Sequence, residues 1–146
     1  MGGKKMAGHQ LFVFKLDDKY FGIDLESVDQ IIPYRKITKI PNMPAYIEGI
    51  IPLRDNICTV FNLRKKFNLP AREADESTRI VIANVNSEMI GIIADNTNEI
   101  VREYDGKTVV AHENAEESDE RYIKGTADIG ENHITIIDLS QLVPAA

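Results

Sequence analysis

The 146-residue chain has one cysteine, three histidines and no long apolar run, and each shortage removes a class of function. A single cysteine, Cys58, excludes an intramolecular disulfide and any cysteine-based metal cage. His9, His112 and His133 do not stand at ligand spacing such as i, i+4, so neither a metal site nor any other cofactor is expected. No stretch of about 18 apolar residues could cross a bilayer as a helix, and no signal-peptide core opens the chain, so a cytoplasmic protein is expected. Lys and Arg number 17 against 23 Asp and Glu, a net charge of -6. Nucleic-acid binding rests on clustered cations against phosphates, so no such partner is expected. Catalytic motifs are lacking too. There is no Gly-x-Ser-x-Gly or Gly-x-Gly-x-x-Gly, and Gly106-Lys107-Thr108 has Val101 where a phosphate loop needs its first glycine. Tyr104 to Lys107 reads instead as a turn, and Cys58 as a small buried apolar residue. No enzyme is expected.

What is present is a succession of short apolar runs separated by polar turns. Residues 1–10 read as a loose polar tail. Leu11 to Leu16 and Lys19 to Asp24 flank Asp17-Asp18 as a β-hairpin. Leu25 to Ile32 has apolar residues at 25, 28, 31 and 32, a spacing that predicts a helical turn ended by Pro33. Ile37 to Pro44 is predicted extended, because Pro41 and Pro44 forbid a helix. Tyr46 to Phe61 gives a second hairpin around Arg54, Asp55 and Asn56, followed by a short helical pattern from Asn62 to Phe67. Residues 70–78 are polar and read as a linker. Ile80 to Val85 and Met89 to Ile93 form a third hairpin around Asn86-Ser87. His112 to Glu120 (HENAEESDE) reads as a solvated acidic loop, and Asp138 caps a final helical turn, DLSQLV.

The chain is built twice. Offset by 76, Tyr122, Ile123, Gly125, Asn132, Thr135 and Leu139 fall on Tyr46, Ile47, Gly49, Asn56, Thr59 and Leu63, six identities in eighteen ungapped positions. Offset by 69, Gly91, Ile92 and Ile100 fall on Gly22, Ile23 and Ile31. The two offsets place an insertion of seven between Val101 and Tyr122. The expectation is all-β: two small barrels, the first over about 11–69 and the second over about 79–143. For binding, the turn residue Arg54 offers a donor fork. Leu25, Val28 and Ile31 make an apolar stripe beside Gln30, and Ile40, Met43 and Pro44 lie on a segment that proline keeps out of strand pairing.

Several blocks in order resemble the CheW-like domain of bacterial and archaeal chemotaxis: FGIDLESVDQII at 21–32, PAYIEGIIPLRDNICTVFNLRKKF at 44–67, TRIVIANV at 78–85, IGIIADNTNEIV at 90–101, YIKGTA at 122–127 and ITIIDLSQLV at 134–143. The resemblance implies two pseudo-symmetric SH3-like five-stranded β-barrels. It also implies a non-catalytic adaptor that couples chemoreceptor cytoplasmic tips to the regulatory domain of the histidine kinase CheA, at membrane-associated receptor arrays. Carried over, Leu25, Val28, Gln30, Ile31, Arg54 and Ile100 would hold the receptor tip in a groove between the halves, and Ile40, Met43 and Pro44 would meet the kinase. The chain departs from the family's usual Glu at Gln30, Gly at Asp55, Pro at Thr59 and Asp at Asn62. Two other readings are an array-bridging relative that does not grip receptors, and a small β-barrel ligand-binding protein or enzyme.

Overall fold

A computed structural model describes residues 10–101, 109–111, 122–129 and 132–142, with side chains described except at 96–101, 109–111, 124, 127–129 and 132. The tail through His9, His112 with the acidic loop, and the turn at 104–107 lie outside the described residues.

The expected hairpins form. Strand β1 (Leu11–Leu16) pairs antiparallel with β2 (Lys19–Asp24), and Asp17 takes φ 58° in the turn. Strand β3 (Val28–Pro33) follows a 3-10 turn at Leu25–Ser27. Strands β4 (Ile47–Leu53) and β5 (Asn56–Phe61) pair around Arg54-Asp55 and run into helix α1 (Leu63–Lys66). Strands β6 (Arg79–Val85) and β7 (Glu88–Ala94) pair around Asn86 and Ser87, whose φ values of 51° and 69° match a two-residue turn suited to strand twist. Then come β8 (Asn96–Val101), β9 (Val109–Ala111), the hairpin of β10 (Ile123–Ile129) and β11 (Asn132–Ile137), and helix α2 (Leu139–Leu142). Both helices start as expected. Asn62 Oδ1 accepts from the N–H of Arg64 at 3.0 Å, and Asp138 Oδ1 from that of Ser140 at 3.1 Å.

The strands form two sheets, ordered β8-β1-β2-β11-β10-β9 and β3-β6-β7-β5-β4. The chain accordingly divides into unit 1, residues 1–27 with 97–146, and unit 2, residues 28–96. This corrects the expected division at 11–69 and 79–143. Each half gives its third strand to the other half's hairpin: β3 joins β6, and β8 joins β1. The second hairpins also cross over, since β5 pairs parallel with β7 and β11 parallel with β2. Residues 70–78 are therefore a connection inside unit 2, not a linker between halves. A repeat in sequence identifies equivalent strands but not which copy they pair with.

The duplication itself holds to the residue. Val60 stands opposite Gly91 and Ile136 opposite Gly22, and these pairs correspond under the two offsets. Register shifts fall between Ile47 and Gly49 and between Ile123 and Gly125. The Asn62 N–H donates to Tyr46 O at 2.7 Å, as the Asp138 N–H does to Tyr122 O at 2.8 Å. Both sheets share five strand positions, and the sixth strand of unit 1 has a vestige in unit 2. Thr38 bridges Ile50, while Val110 of β9 pairs with Thr126, the counterpart of Ile50. The offset is thus 69 as far as β8, 72 at Val110 and 76 from Tyr122, so the insertion of seven is split by β9.

The core of unit 2 is Ile32, Ile51, Leu53, Cys58, Val60, Ile80 and Ile82. Ile32 comes from one outer strand of the sheet and Ile51 and Leu53 from the other, so the sheet curls until its edges share one interior. Arg35 Nη1 donates to Pro52 O at 3.2 Å and Thr38 exchanges two main-chain bonds with Ile50, bringing the chain after β3 alongside β4. Gly49 is required there. Its φ is 151°, and a Cβ would lie 2.1 Å from Thr38 O. Burial pushes the Cys58 thiol up to about 11, so it packs as an apolar group and is not a nucleophile at neutral pH.

Candidate functional site

The helix expected over 25–32 is confined to Leu25–Ser27, and the remainder is strand β3. The three-residue spacing nevertheless places Val28 and Ile31 together. Val28 pairs with Ala83 and Gln30 with Ile82, so Asp29 is an extra residue bulged out of the ladder. Directly paired residues share a face of a sheet. Val28 and Ile31 therefore share the face of Ala83 and Val81, while Gln30 and Ile32 share the face of the core residues Ile82 and Ile80. A bulged strand thus produces the spacing that a helix would otherwise explain. Ile31 is 39% exposed and Val28 half-buried. Gln30, also half-buried, donates from Nε2 to Asp29 Oδ2 at 3.4 Å.

The other expected contacts fall on separate elements. Arg54 sits exposed in the β4–β5 turn at φ 58°, and among the described residues it makes no ion pair. Leu25 is half-buried in the 3-10 turn of unit 1, and Ile100 lies on β8 of unit 1 with its side chain outside the described residues. Ile40, Met43 and Pro44 lie in one segment of unit 2 between β3 and β4, with Met43 42% exposed and Pro44 exposed. Asn42 turns that segment at φ 63°, and Pro44 O accepts from the Ile47 N–H at 3.0 Å.

Two features were missed from the sequence. The first is Ile57, 65% exposed on β5 directly opposite the exposed Pro52 of β4. Strand alternation could have found it, because Cys58 and Val60 face the core and Ile57 must therefore face outward. The second is a charge cluster in unit 2. Asp95 Oδ2 accepts from Arg64 Nη2 at 2.5 Å and from Arg72 Nη1 at 2.9 Å. Arg64 Nη1 also donates to Pro70 O at 2.6 Å, and Arg72 Nη2 to Asp75 Oδ2 at 3.1 Å. Residues 23 to 31 apart in sequence meet here, and no local pattern announces them.

This cluster lines one side of a cavity of about 420 Å³, with Glu48, Asn62 and Tyr34 on its wall. Burial alone would raise the Glu48 carboxyl. The Asn62 amide at 3.0 Å, with the Lys65 and Lys39 ammonium groups at 3.4 and 3.5 Å, outweighs it and holds the carboxyl below its usual value. Asp75 is held far lower by the Ser77 hydroxyl and N–H together with Arg72. The cavity's cations face carboxylates of the chain itself, the arrangement of a fastened loop and not of a nucleophile and base. Among the described residues, no group of His, Cys, Asp and Glu is placed to hold a metal ion. Among them too, no helix is long and apolar enough to cross a membrane.

Comparison with known proteins points to one family. The family model for the CheW-like domain matches residues 10–146. A chemotaxis protein CheW from Klebsiella aerogenes is 28% identical over 137 residues, covering 94% of this chain and 82% of that protein. One from Bacillus subtilis is 28% identical over 137 residues, covering 94% and 88%. The crystal structure of the scaffolding protein TtCheW from Thermoanaerobacter tengcongensis superposes with a TM-score of 0.83 at 30% identity, covering 94% of this chain and 89% of that one. The duplicated strand pattern, the two sheets it builds and these likenesses together mean that the chain belongs to the CheW-like domain family.

Proposed function

We propose that the protein is a non-catalytic adaptor of chemotaxis that couples chemoreceptor cytoplasmic tips to the regulatory domain of the histidine kinase CheA, acting in the cytoplasm at receptor arrays. The observation that carries this reading is the match of the whole fold to a scaffolding protein, at a TM-score of 0.83 over 94% of the chain. Exposed apolar side chains in two parts of unit 2 support two partners. Val28 and Ile31 on β3, with Gln30, Arg54, Leu25 and Ile100, are the receptor candidates. Met43, with Ile40 and Pro44, is the kinase candidate. The receptor set combines apolar side chains with an arginine and the kinase set is apolar, and both characters occur at protein interfaces.

The test is a pull-down of the purified chain against a CheA regulatory domain and, separately, a receptor-tip fragment. Capture of both is the expected result. Capture of the kinase domain alone would replace this reading with the array-bridging one and direct attention to Gln30 and Asp55. Capture of neither by a folded, β-rich protein would overturn the adaptor reading.

A further inference from the structure

Hairpin β1–β2 belongs to unit 1, yet the whole of unit 2, residues 28–96, separates it from the rest of that unit. It is a closed ribbon: the Leu25 N–H donates to Gln10 O at 3.0 Å across its base. Leu11, Phe12, Val13, Phe14, Phe21 and Ile23 are each at most 4% exposed. Leu11 and Val13 form one core cluster with Ile134 and Ile136 of β11. Main-chain pairing continues this contact, with Tyr20, Phe21 and Gly22 opposite Ile134, Thr135 and Ile136. An isolated hairpin is not stable in water, and β11 without its neighbour would present an open, apolar edge. The remainder of unit 1 therefore needs this hairpin, but none of these bonds requires that the hairpin come from the same chain.

The equivalent hairpin β6–β7 is fastened differently. The connection that precedes it is tied down through Arg64 to Pro70 and through Arg72 to Asp95, and Asp95 directly follows β7. Under the two offsets Glu26 replaces Asp95 and Ser140 replaces Arg64, and both are exposed. At these two positions hairpin β1–β2 has no counterpart of the Arg64–Asp95 pair, and the three residues Leu25–Ser27 join it to β3.

We infer that β1–β2 is an exchangeable module: two copies of this chain trade residues 11–24 across the Leu25–Ser27 turn, each completing the other's unit 1. Short hinges between otherwise separable elements favour such exchange. A pair formed in this way carries two copies of unit 2 in one particle.

Complementation between two full-length variants tests this. Gly22→Val spoils the hairpin, because even a Cβ at Gly22 would lie 3.1 Å from Ile134 Cγ2. Ile136→Glu spoils the remainder by placing a carboxylate in the cluster of Leu11 and Val13. Refolded together at high concentration, the two should give a species of twice the 16.4 kDa chain mass by light scattering. In that species the β10 and β11 amide resonances of isotope-labelled Gly22→Val chain should return to wild-type positions. Monomers only, with no recovered resonances, would overturn the exchange. Deletion of Glu26 and Ser27 from the otherwise wild-type chain gives a second reading if the variants precipitate. The shortened turn should yield a folded dimer, and a folded monomer would again overturn the inference.

Discussion

Glu48 and Asp95 are both paired carboxylates, and their surroundings set different consequences for losing them. Glu48 is bound by the Asn62 amide and by Lys65 and Lys39 at 3.4 and 3.5 Å, with Lys39 largely in solvent. Its carboxyl is held below its ordinary value of 4.5 in the folded chain. The resulting stabilisation is present above that value and is lost as pH falls through the lower, folded one. Glu48→Gln should therefore cost ~0.5 kcal/mol at pH 7 and less at pH 3, read from urea midpoints at the two pH values. Asp95 accepts from two arginines, one of them only 5% exposed. Removing it leaves a buried guanidinium without this carboxylate. Asp95→Ala should cost about 3 kcal/mol in urea unfolding, and a cost below about 1 kcal/mol would mean that Arg64 finds other partners.

Among the elements, β3 and β4 set the candidate contacts. The bulge at Asp29 turns Val28 and Ile31 to one face. Val28→Asp should reduce receptor-tip binding at least tenfold by titration calorimetry, whereas Glu116→Ala should leave it within twofold. Equal losses would mean that the β3 face is not the receptor site. On β4, Gly49 passes so close to Thr38 that no side chain fits without moving backbone. Gly49→Ala should cost about 3 kcal/mol and lower the thermal midpoint by several degrees, since it opposes both φ and packing. Element types were largely legible beforehand. Alternation, turn residues and Asx caps act within a few positions, so the hairpins and both short helices agreed with expectation. The helix over 25–32 did not, because a bulged strand and a helix can give the same three-residue spacing.

For the whole molecule, the proposal of two separate partner surfaces implies independent losses. Arg54→Glu should weaken receptor binding and spare kinase binding, Met43→Asp should do the reverse, and the double variant should show each loss at its single-variant size. Loss of both partners from either change would point to one shared surface. The sequence by itself determined the duplication, the three hairpins and the two capped helical turns, and resemblance supplied the family, because all of these are recorded in short stretches read independently. Only the tertiary structure decided that β3 crosses to β6 and β8 to β1, and that Arg64, Arg72 and Asp95 converge. Pairing partners are selected by long-range packing of the completed core, such as Val60 against Gly91 and Ile136 against Gly22. Two nearly equivalent hairpins offer nothing local by which to tell one partner from the other.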